Sequence, residues 1–472
     1  MIPSRPRVAI VGGGLAGMSA ALALREQAVD LDITIYEARR RPGGRAGSFV
    51  DAGTGDDVDY CQHVTMGCCT NFLALMNQAG LLSAFTRYQE LQFHHPQFVA
   101  SRFSSSAWLP APFHLLPSLL RLRYLTWRQR AEISWATLLL MRTKSASLTD
   151  LTAQNWLSQH GQSPATIRDY WDVVIASALG ESCQYVSMAA ARKVFVDGFL
   201  STKNACDVLV PTLPLSTLFG DRLASFVASK DVKIHNGTPV RSVEMLDNDS
   251  LQLNVNNENL VYDHVVMAVP CFAIVKTLDQ ATAIAAGLPA DRYASVPTSP
   301  ITGIHLWFDR PIIDQPHAVM VGTLSQWVFR REQDLGTTSP SSHYVQVVIS
   351  ASRGVRELST DAVIDQVVAE LRQAFPSAAG AKLQRGRVVT DPQAVYSVRP
   401  DVDAIRPSAT TALPCLHLAG DFVQTGWPAT MEGAVISGRL AASSLLKQLG
   451  HPPVSVDRGL QPSMLPRLLI RK

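Results

Sequence analysis

Strand-like and helix-like patterns alternate in the first part of the chain. Residues 8–11 form a β-branched run that passes through three glycines into residues 15–24, whose pattern predicts a helix. A second strand-like run at 32–37 completes the opening of a βαβ unit, and a third short strand is predicted at 48–51, after a Pro-Gly-Gly break. The chain therefore opens with the elements of an α/β fold.

Helical patterns dominate from residue 70 to about 200, and mixed patterns follow. Further helices are predicted at 71–79, 218–229, 360–375 and 432–449, and another opens near 148–150 with Thr149 or Asp150 as its cap. Strands are predicted at 232–235, 240–246, 251–255, 264–269, 301–308, 343–350 and 417–421. Because α/β patterns occur at both ends and in the middle, a single fold whose sheet is completed from distant segments fits best.

A glycine-rich turn lies between the first predicted strand and helix. Its residues Gly12, Gly14 and Gly17 have the spacing of a dinucleotide-binding fingerprint. The first glycine permits the tight turn, the second lets the backbone approach a pyrophosphate, and the third lets the helix pack on the strand. Glu37 ends the next strand, where an acid binds a ribose hydroxyl. An acid at this place disfavours a 2′-phosphate and leaves FAD or NAD as the cofactor.

Two further segments are suited to a cofactor. Gly44 and Arg45 lie in a turn that can fold back onto the cofactor, with Arg45 on a phosphate, although the turn alone is equally an ordinary surface turn. Asp421 ends a predicted strand and can accept a hydrogen bond from a ribityl hydroxyl. The amides of Thr430 and Met431, at the start of the last helix, can face the electron-rich end of an isoalloxazine. Together with the N-terminal fingerprint, this late segment indicates a flavin.

Composition and charge add information about partners. Charged residues make up 17% of the 472-residue chain, below the usual share of about 25%, which argues against disorder and hints at an apolar partner. The net charge of +3 is too weak and diffuse for a nucleic-acid-binding protein. The window 102–144, however, holds seven basic residues and one acidic residue, a local charge of +6, together with three tryptophans.

The cysteine pattern and the N-terminal residues give information about the cellular compartment of the protein. Seven cysteines without a CxxC motif argue against a disulfide framework or a zinc site and favour a reducing cytosol. His94 and His95 have no neighbouring ligand set, so we expect no metal. The first residues include no apolar stretch of signal-peptide type, and no run of 18 apolar residues predicts a spanning helix. We therefore expect a cytoplasmic location.

These motifs resemble those of FAD-dependent amine oxidases and carotenoid desaturases. Within that group the chain is similar to the hydroxysqualene dehydroxylase family in four further stretches: 59–64 (DYCQHV), 109–120 (LPAPFHLLPSLL), 194–200 (VFVDGFL) and 305–311 (HLWFDRP). The FAD motifs are specific for the superfamily, whereas these four stretches alone favour the subfamily. Cys61 departs from the family pattern Asp-x-Gly-Gln-His, because it puts a side chain where the family has glycine.

The resemblance implies a fold, a set of cofactor contacts and a reaction. The fold is a Rossmann-like FAD-binding domain built from discontinuous segments, with an inserted α+β substrate domain that carries a helical, membrane-facing segment. The implied segments are 1–90, 206–295 and 401–450 for FAD binding, 91–205 for the helical substrate and membrane segment, 296–400 for the strands and helix of the substrate domain, and 451–472 for a tail. The implied FAD-binding residues are Gly12, Gly14, Leu15, Ala16, Gly17, Glu37, Ala38, Gly44, Arg45, Val240, Gly420, Asp421, Thr430 and Met431. The implied reaction converts hydroxysqualene to squalene, a hopanoid or sterol precursor, with a hydride from reduced FAD.

Loss of an allylic hydroxyl group needs an acid. Asp59 and His63 are the candidates, because their segment follows the FAD-binding motifs. Histidine suits proton transfer at neutral pH, but a structural or flavin-positioning role for His63 is an equally good interpretation. The nearest rival function is that of a carotenoid desaturase, in which the flavin accepts a hydride from the substrate. An amine oxidase and a flavin-free protein that binds prenylated proteins are more distant alternatives.

The basic, aromatic window 102–144 suggests how the enzyme takes up a substrate that is insoluble in water. Residues 110–141 combine leucines, arginines and tryptophans, which suits a pair of helices at a membrane interface with arginines on anionic head groups. An ordinary amphipathic helix packed on the core is the alternative. We expect an apolar isoprenoid as ligand and peripheral association with the cytoplasmic membrane, with 464–472 as a second candidate anchor.

Overall fold

The computed structural model describes residues 5–27, 29–247, 249–331 and 342–471. The strands are β1 (Arg7–Val11), β2 (Asp32–Tyr36), β3 (Ser48–Val50), β4 (Asp57–Asp59), β5 (Thr65–Met66), β6 (Phe85–Tyr88), β7 (Glu90–His95), β8 (Phe98–Ser104), β9 (Val208–Pro211), β10 (Val232–His235), β11 (Val240–Met245), β12 (Leu251–Val255), β13 (Glu258–Tyr262), β14 (His264–Met267), β15 (Thr298–Phe308), β16 (His317–Met320), β17 (Trp327–Arg330), β18 (His343–Ser350), β19 (Leu383–Tyr396) and β20 (Leu416–Leu418).

The α-helices are α1 (Leu15–Arg25), α2 (Thr70–Gln78), α3 (Leu116–Arg121), α4 (Trp127–Arg142), α5 (Ala153–Gln159), α6 (Pro164–Thr166), α7 (Asp172–Leu179), α8 (Met188–Arg192), α9 (Ala224–Ala228), α10 (Cys271–Thr277), α11 (Gln280–Ala285), α12 (Ala290–Ala294), α13 (Thr360–Ala374), α14 (Pro400–Ile405), α15 (Met431–Gln448) and α16 (Met464–Leu469). Segments with π-helical hydrogen bonding are Ile167–Trp171, Lys193–Leu200 and Ser216–Leu223. Short 3-10 segments are Leu82–Ala84, Phe113–Leu115, Ser145–Leu148, Arg353–Glu357 and Pro376–Ala378.

Five parallel strands form the sheet that carries the glycine-rich turn, in the order β10-β2-β1-β14-β20. Alternate residues of β1 enter two apolar clusters: Val8 and Ile10 pack with α1 and α15, and Ala9 and Val11 pack with the antiparallel sheet β11-β12-β13. Burial on both faces explains why these strands read as continuous apolar runs. The predicted α/β class, with a parallel sheet completed from distant segments, is confirmed.

A seven-stranded sheet forms the second layer system, in the order β19-β15-β18-β17-β16-β7-β8. Helix α13 packs on one part of it through Val363, Val367 and Leu371, which join the apolar cluster around Ile304 and Val347. The helices between α3 and α8 gather in another cluster, which reaches the sheet at its β16 and β7 strands. The helical segment therefore covers one end of this sheet.

The prediction that residues 70 to about 200 are mostly helical is wrong for 85–104. Strands β6, β7 and β8 occupy that stretch, so the segment 91–205 is not helical at its start. β7 pairs in parallel with β16, with Phe93 opposite Val319. A partner more than 200 residues away leaves no trace in the local pattern, and tertiary pairing overrides the local preference.

Most of the other predicted elements are confirmed to within a few residues, including α2, α13, α15 and the antiparallel pair β11 and β12. The helix expected to open at Thr149 or Asp150 begins later, at Ala153. Thr152 is its cap, because the Thr152 side chain accepts a hydrogen bond from the backbone N–H of Asn155 at 3.2 Å. Residues Ser145–Leu148 form a separate 3-10 turn.

Within the four ranges that the structure describes, no helix has both the length and the apolar character needed to cross a bilayer.

Candidate functional site

The glycine-rich turn connects β1 to α1 in a conformation that only glycine tolerates easily. Gly12 has a φ of +112°, and a Cβ atom there would collide with the carbonyl oxygen of Ala268 at the end of β14. A Cβ atom at Gly17 would collide with the carbonyl oxygen of Gly12, so Gly17 keeps α1 close to the strand. Gly14 precedes the first buried residues of the helix, Leu15 and Ala16. The free N–H groups at this helix start suit an anion.

Glu37 fastens the end of β2 to this turn. Its carboxylate accepts hydrogen bonds from the backbone N–H of Gly13 and of Arg39, both at 2.8 Å. Each carboxylate oxygen keeps a free lone pair, so the group can still accept a hydroxyl donor. Ala38 beside it is exposed, and Val240 lies close along the chain to Thr238, whose N–H donates to the Glu37 carbonyl at 2.8 Å. The structure thus brings Glu37, Ala38 and Val240 to one edge of the sheet.

The Pro-Gly-Gly-Arg turn folds back onto the glycine-rich turn. The N–H of Gly43 donates to the carbonyl of Gly13 at 2.9 Å, and Gly14 and Gly43 form a parallel bridge. Gly44 has a φ of +65°, and a Cβ atom there would lie 3.3 Å from the Cα of Gly14. The two glycine segments therefore approach each other as closely as their backbones allow.

Arg45 and Asp421 form an ion pair that joins the N-terminal turn to the late segment. Asp421 is buried, and Arg45 also donates to the carbonyl of Ala394 at 3.0 Å. The sequence assigned Arg45 to a phosphate and Asp421 to a ribityl hydroxyl, and in the structure the two side chains are in contact with each other. Gly420 has a φ of +133°, and its N–H donates a hydrogen bond to the Ser437 hydroxyl oxygen at 2.7 Å.

Arg406 is a residue that sequence reasoning missed. Its buried guanidinium donates to the backbone carbonyls of Asp421, Phe422, Val423 and Trp427, at distances between 2.7 and 3.3 Å. One side chain therefore shapes the whole loop between Asp421 and the last long helix. No local motif marks it, because its partners are carbonyl groups that every residue carries.

Thr430 and Met431 begin α15, as predicted. The Thr430 hydroxyl oxygen caps the helix by accepting from the N–H of Gly433 at 3.1 Å. Helix α15 packs against α1 at very short range, since a Cβ atom at Gly438 would collide with the carbonyl oxygen of Ala16. Two helix starts therefore lie on the same side of the parallel sheet.

A cavity of about 370 Å³ lies between the helical segment and the seven-stranded sheet. It is lined by Gln62, Val64, Met66, Leu91, Phe93, Phe103, Pro112, Phe113, Leu115, Leu116, Leu119, Ser134, Thr137, Leu138, Met141, Tyr170, Val173, Val174, Ser177, Ala178, Phe195, Phe199, Leu200, Val208, Val319, Trp327, Phe329, Val348 and Ser350. Tyr170 is the one titratable group in this lining, and burial raises its pKa, so it stays neutral. The stretches 59–64, 109–120 and 194–200 all contribute to the wall.

A smaller, polar pocket of about 50 Å³ adjoins this apolar cavity, and Gln62 and Phe329 line both. Its other lining residues are Asp57, Asp59, Tyr88, Val210, Pro211, Thr212, Leu213, Pro214, Pro316, Arg330, Arg331, Tyr344 and Gln346. Tyr344 connects the pocket to the stretch 305–311, because its hydroxyl group lies 2.7 Å from Nδ1 of His305. Three of the four stretches therefore line these two spaces, and the fourth contacts the polar pocket through Tyr344.

Asp59 lies in the wall of the polar pocket. Its carboxylate accepts from the Ser48 hydroxyl at 2.6 Å and from the N–H of Leu215 at 2.8 Å. Burial nevertheless raises its pKa to about 6, and the hydrogen bonds from Ser48 and Leu215 oppose that shift only in part. A carboxyl group with this pKa is protonated on a minority of molecules at neutral pH, and on more of them than an ordinary aspartate.

His63 lies outside the walls of both spaces. Its Nδ1 is 2.9 Å from the carbonyl oxygen of Cys61, and because a carbonyl only accepts, Nδ1 carries the hydrogen. Burial lowers its pKa, so the ring is neutral and Nε2 is an acceptor. Cys61, the departure from the family pattern, is a free thiol whose pKa burial raises to about 12.

A family model described as flavin containing amine oxidoreductase matches residues 15–446 of the chain. The chain belongs to this family. It is 24% identical to the zeta-carotene desaturase of Arabidopsis thaliana, over 97% of this chain and 88% of that protein. It is also 24% identical to the hydroxysqualene dehydroxylase of Zymomonas mobilis, over 93% of this chain and 98% of that protein. The crystal structure of an oxidoreductase from Methanosarcina mazei superposes with a TM-score of 0.67 at 17% identity, over 92% of this chain and 98% of that one, which shows a shared fold.

As a member of the flavin-containing amine oxidoreductase family, the protein is an FAD-dependent oxidoreductase. The site fits that cofactor, because the turn at Gly12 has no room for a side chain, Glu37 can accept a hydroxyl donor, and helix starts lie at the sheet edge. A flavin-free function as a binder of prenylated proteins is therefore wrong. Within the residues that the structure describes, no group of three or more metal-binding side chains occurs.

Proposed function

We propose that this flavoprotein reduces an allylic isoprenoid alcohol of the hydroxysqualene type to the hydrocarbon, as the matching dehydroxylase does by name. The observation that carries the proposal is the apolar cavity with a polar pocket beside it. Its 370 Å³ lie within the range of about 300–1,000 Å³ for small-molecule sites. A long hydrocarbon suits the wall of the apolar cavity, which contains no charged side chain.

The cofactor contacts follow from the geometry at the sheet edge. We assign the pyrophosphate to the N–H groups at Gly14, Leu15 and Ala16, beside the turn at Gly44. Glu37 holds a ribose hydroxyl, with Ala38 and Val240 beside it. A second group of cofactor contacts, from the C-terminal part of the chain, consists of Gly420, Asp421, Thr430 and Met431. Because Asp421 is paired with Arg45, the two side chains bind the cofactor as one unit.

The chain's own residues supply the acid and the dry environment for the reaction. Bound FAD, when reduced, supplies a hydride. The Asp59 carboxyl group donates the proton that lets the hydroxyl group leave as water. The aromatic walls at Phe195 and Phe199 tolerate the positive charge that develops on the allyl group, and no ionised side chain lines the cavity.

His63 takes a positioning role in this proposal. A neutral ring whose Nδ1–H is held by the Cys61 carbonyl has no second proton to give, so the assignment of His63 as the acid is set aside in favour of Asp59. His63→Ala is expected to lower flavin content or affinity, which the visible absorbance of the purified protein measures. Full flavin content with lost turnover would instead return the acid role to His63.

Carotenoid desaturation is the second candidate, because zeta-carotene and phytoene desaturases match the chain at 24–25% identity, as the dehydroxylase does. Products decide between the two. Purified holoenzyme is given hydroxysqualene with a reductant, or phytoene with an electron acceptor, and the extracts are analysed by mass spectrometry. We expect squalene in the first reaction and unchanged phytoene in the second. New conjugated double bonds from phytoene, without squalene from the alcohol, would overturn the proposal.

A lipid bilayer is the proposed source of the substrate. Trp108, Trp127 and Trp135 of the basic window are 93%, 73% and 56% exposed. Leu116 and Leu138 are partly exposed and also line the cavity, so the cavity wall continues into this aromatic surface. The tail joins it, because the N–H of Arg471 donates to the carbonyl of Met141 at 2.8 Å.

Part of the basic window packs against the core of the protein, as expected for the alternative interpretation of an ordinary amphipathic helix. Leu115, Leu119, Leu122 and Leu125 are buried and contribute to the core. The proposed contact with the bilayer is therefore peripheral, through one face of the segment. The last residue of the predicted tail, Lys472, lies outside the described residues.

A further inference from the structure

The polar pocket beside the apolar cavity contributes nothing to the binding of a hydrocarbon chain. We propose that Gln62 and this pocket form the hydroxyl subsite: the Gln62 amide binds the hydroxyl group of the substrate, and the pocket receives the water that leaves. The inference rests on the proposed dehydroxylation and identifies the part of the site that selects an isoprenoid alcohol over a hydrocarbon of the same length.

The position of Gln62 carries the inference. It lines both spaces, and it is one of the few polar side chains in the wall of the apolar cavity. Within the described parts of the chain, no residue forms a hydrogen bond to its side-chain amide. Its neighbour Gln346, by contrast, donates to the carbonyl of Asp59 at 2.9 Å. An amide both donates and accepts, as a hydroxyl group requires.

The pocket on the far side of Gln62 suits a leaving water. A water molecule needs roughly 10–15 Å³ of cavity measured in this way, together with two to four polar partners. The pocket has about 50 Å³ and offers Asp57, Asp59, Arg331 and Tyr344 in its wall. It therefore has room for the departing water and for a few more that connect it to Asp59.

The reaction balances with these groups. The C–O bond of the allylic alcohol breaks, and its electron pair stays with oxygen, which takes the proton of Asp59 and leaves as water. The hydride of the reduced flavin forms the new C–H bond, so the alcohol is reduced and the flavin is oxidised. Asp59 regains a proton from solvent. Desaturation of a hydrocarbon releases no water and has no use for such a subsite.

The test compares two ligands that differ by one hydroxyl group. Gln62→Met keeps a long side chain and removes the hydrogen bond. Gln92→Met, on β7, is the matched control, because alternation along the strand points Gln92 away from the face on which Leu91 and Phe93 line the cavity. Dissociation constants of oxidised holoenzyme for hydroxysqualene and for squalene are measured from the change in flavin absorbance.

Loss of one hydrogen bond corresponds to a change of about tenfold. We expect Gln62→Met to weaken hydroxysqualene binding by about that factor and to leave squalene binding unchanged, while Gln92→Met alters neither. If Gln62→Met weakened the binding of both ligands equally, or left hydroxysqualene binding unchanged, the proposed subsite would be overturned. The proposed function would still stand in that case, provided that the wild-type protein converts hydroxysqualene. A wild-type protein that binds the alcohol no more tightly than squalene and does not convert it would overturn both.

Discussion

The acid is the residue on which the proposed chemistry depends most. The structure favours Asp59 over His63, because burial raises the pKa of the carboxyl group to about 6, whereas the histidine ring is held neutral with its one N–H engaged. The sequence placed both residues in one segment and could not separate them, since the burial of Asp59 and its hydrogen bond from Leu215 depend on residues far away along the chain.

The pH dependence of turnover tests this assignment. Asp59 is protonated below its pKa of about 6 and ionised above it, so the single-turnover rate should fall as the pH rises through 6. Asp59→Asn should remove this pH limb and lower the rate about 10²–10⁴-fold. The variant should fold, because the Asn oxygen can still accept from Ser48 and Leu215. An unchanged pH profile in Asp59→Asn would exclude Asp59 as the acid.

Arg406 offers a second test at the residue scale. Its guanidinium holds four carbonyl groups of the loop that follows Asp421. Arg406→Met should therefore yield protein with little bound flavin, measured as the ratio of visible to ultraviolet absorbance. Arg439→Met, which removes an ion pair with Glu26 instead, should keep full flavin content. Equal flavin content in the two variants would contradict the role assigned to this loop.

At the scale of elements, the contact between α1 and α15 determines how closely the two helix starts approach. Gly438→Ala would place a Cβ atom against the backbone of Ala16 and Ala20, and backbone cannot move aside as a flexible side chain does. We expect a loss of about 1–3 kcal/mol in stability and a lower Tm, measured by thermal unfolding. Gly354→Ala, where a Cβ atom meets open space, is the control and should change little.

Elements whose signal is local were predictable from the sequence, and those defined by distant pairing were not. The strand, glycine turn and helix at 8–24 show in their local pattern, and the last helix from Met431 also has its own cap, Thr430. Strand β6 pairs with β9, more than 100 residues later, and β7 pairs with β16, more than 200 residues later. The same limit applies to the site: the fingerprint residues were found from their spacing, whereas Arg406, Tyr344 and Gln62 gain their roles only from neighbours in space.

At the scale of the whole molecule, charge divides the protein into two unlike parts. The +6 window meets the tail at Met141, which lines the apolar cavity, and the rest of the chain has a formal charge of −3. Not every arginine of the window is free to meet a membrane. Arg128 pairs with Glu132 at 2.9 Å, and Arg130 donates to the carbonyl of Leu122 and stacks over Trp127.

Liposome binding tests the proposed membrane face. Arg121, Arg123 and Arg142 are exposed, and none of the ion pairs found among the described residues involves them. Changing all three to Gln should weaken binding to anionic vesicles by about 1 kcal/mol per residue near the surface, measured by co-sedimentation. Arg5, Arg25 and Arg310 lie outside the window, and their change to Gln is the control. Equal binding of both triple variants would contradict the assignment of this face.

The most direct test of the central claim is a single turnover without oxygen. Purified holoenzyme is photoreduced, mixed anaerobically with hydroxysqualene, and followed by flavin absorbance and by mass spectrometry of the products. We predict that the flavin is reoxidised and that one squalene forms for each flavin oxidised, with no reoxidation when squalene replaces the alcohol. A flavin that stays reduced in the presence of hydroxysqualene, with no squalene formed, would contradict the account.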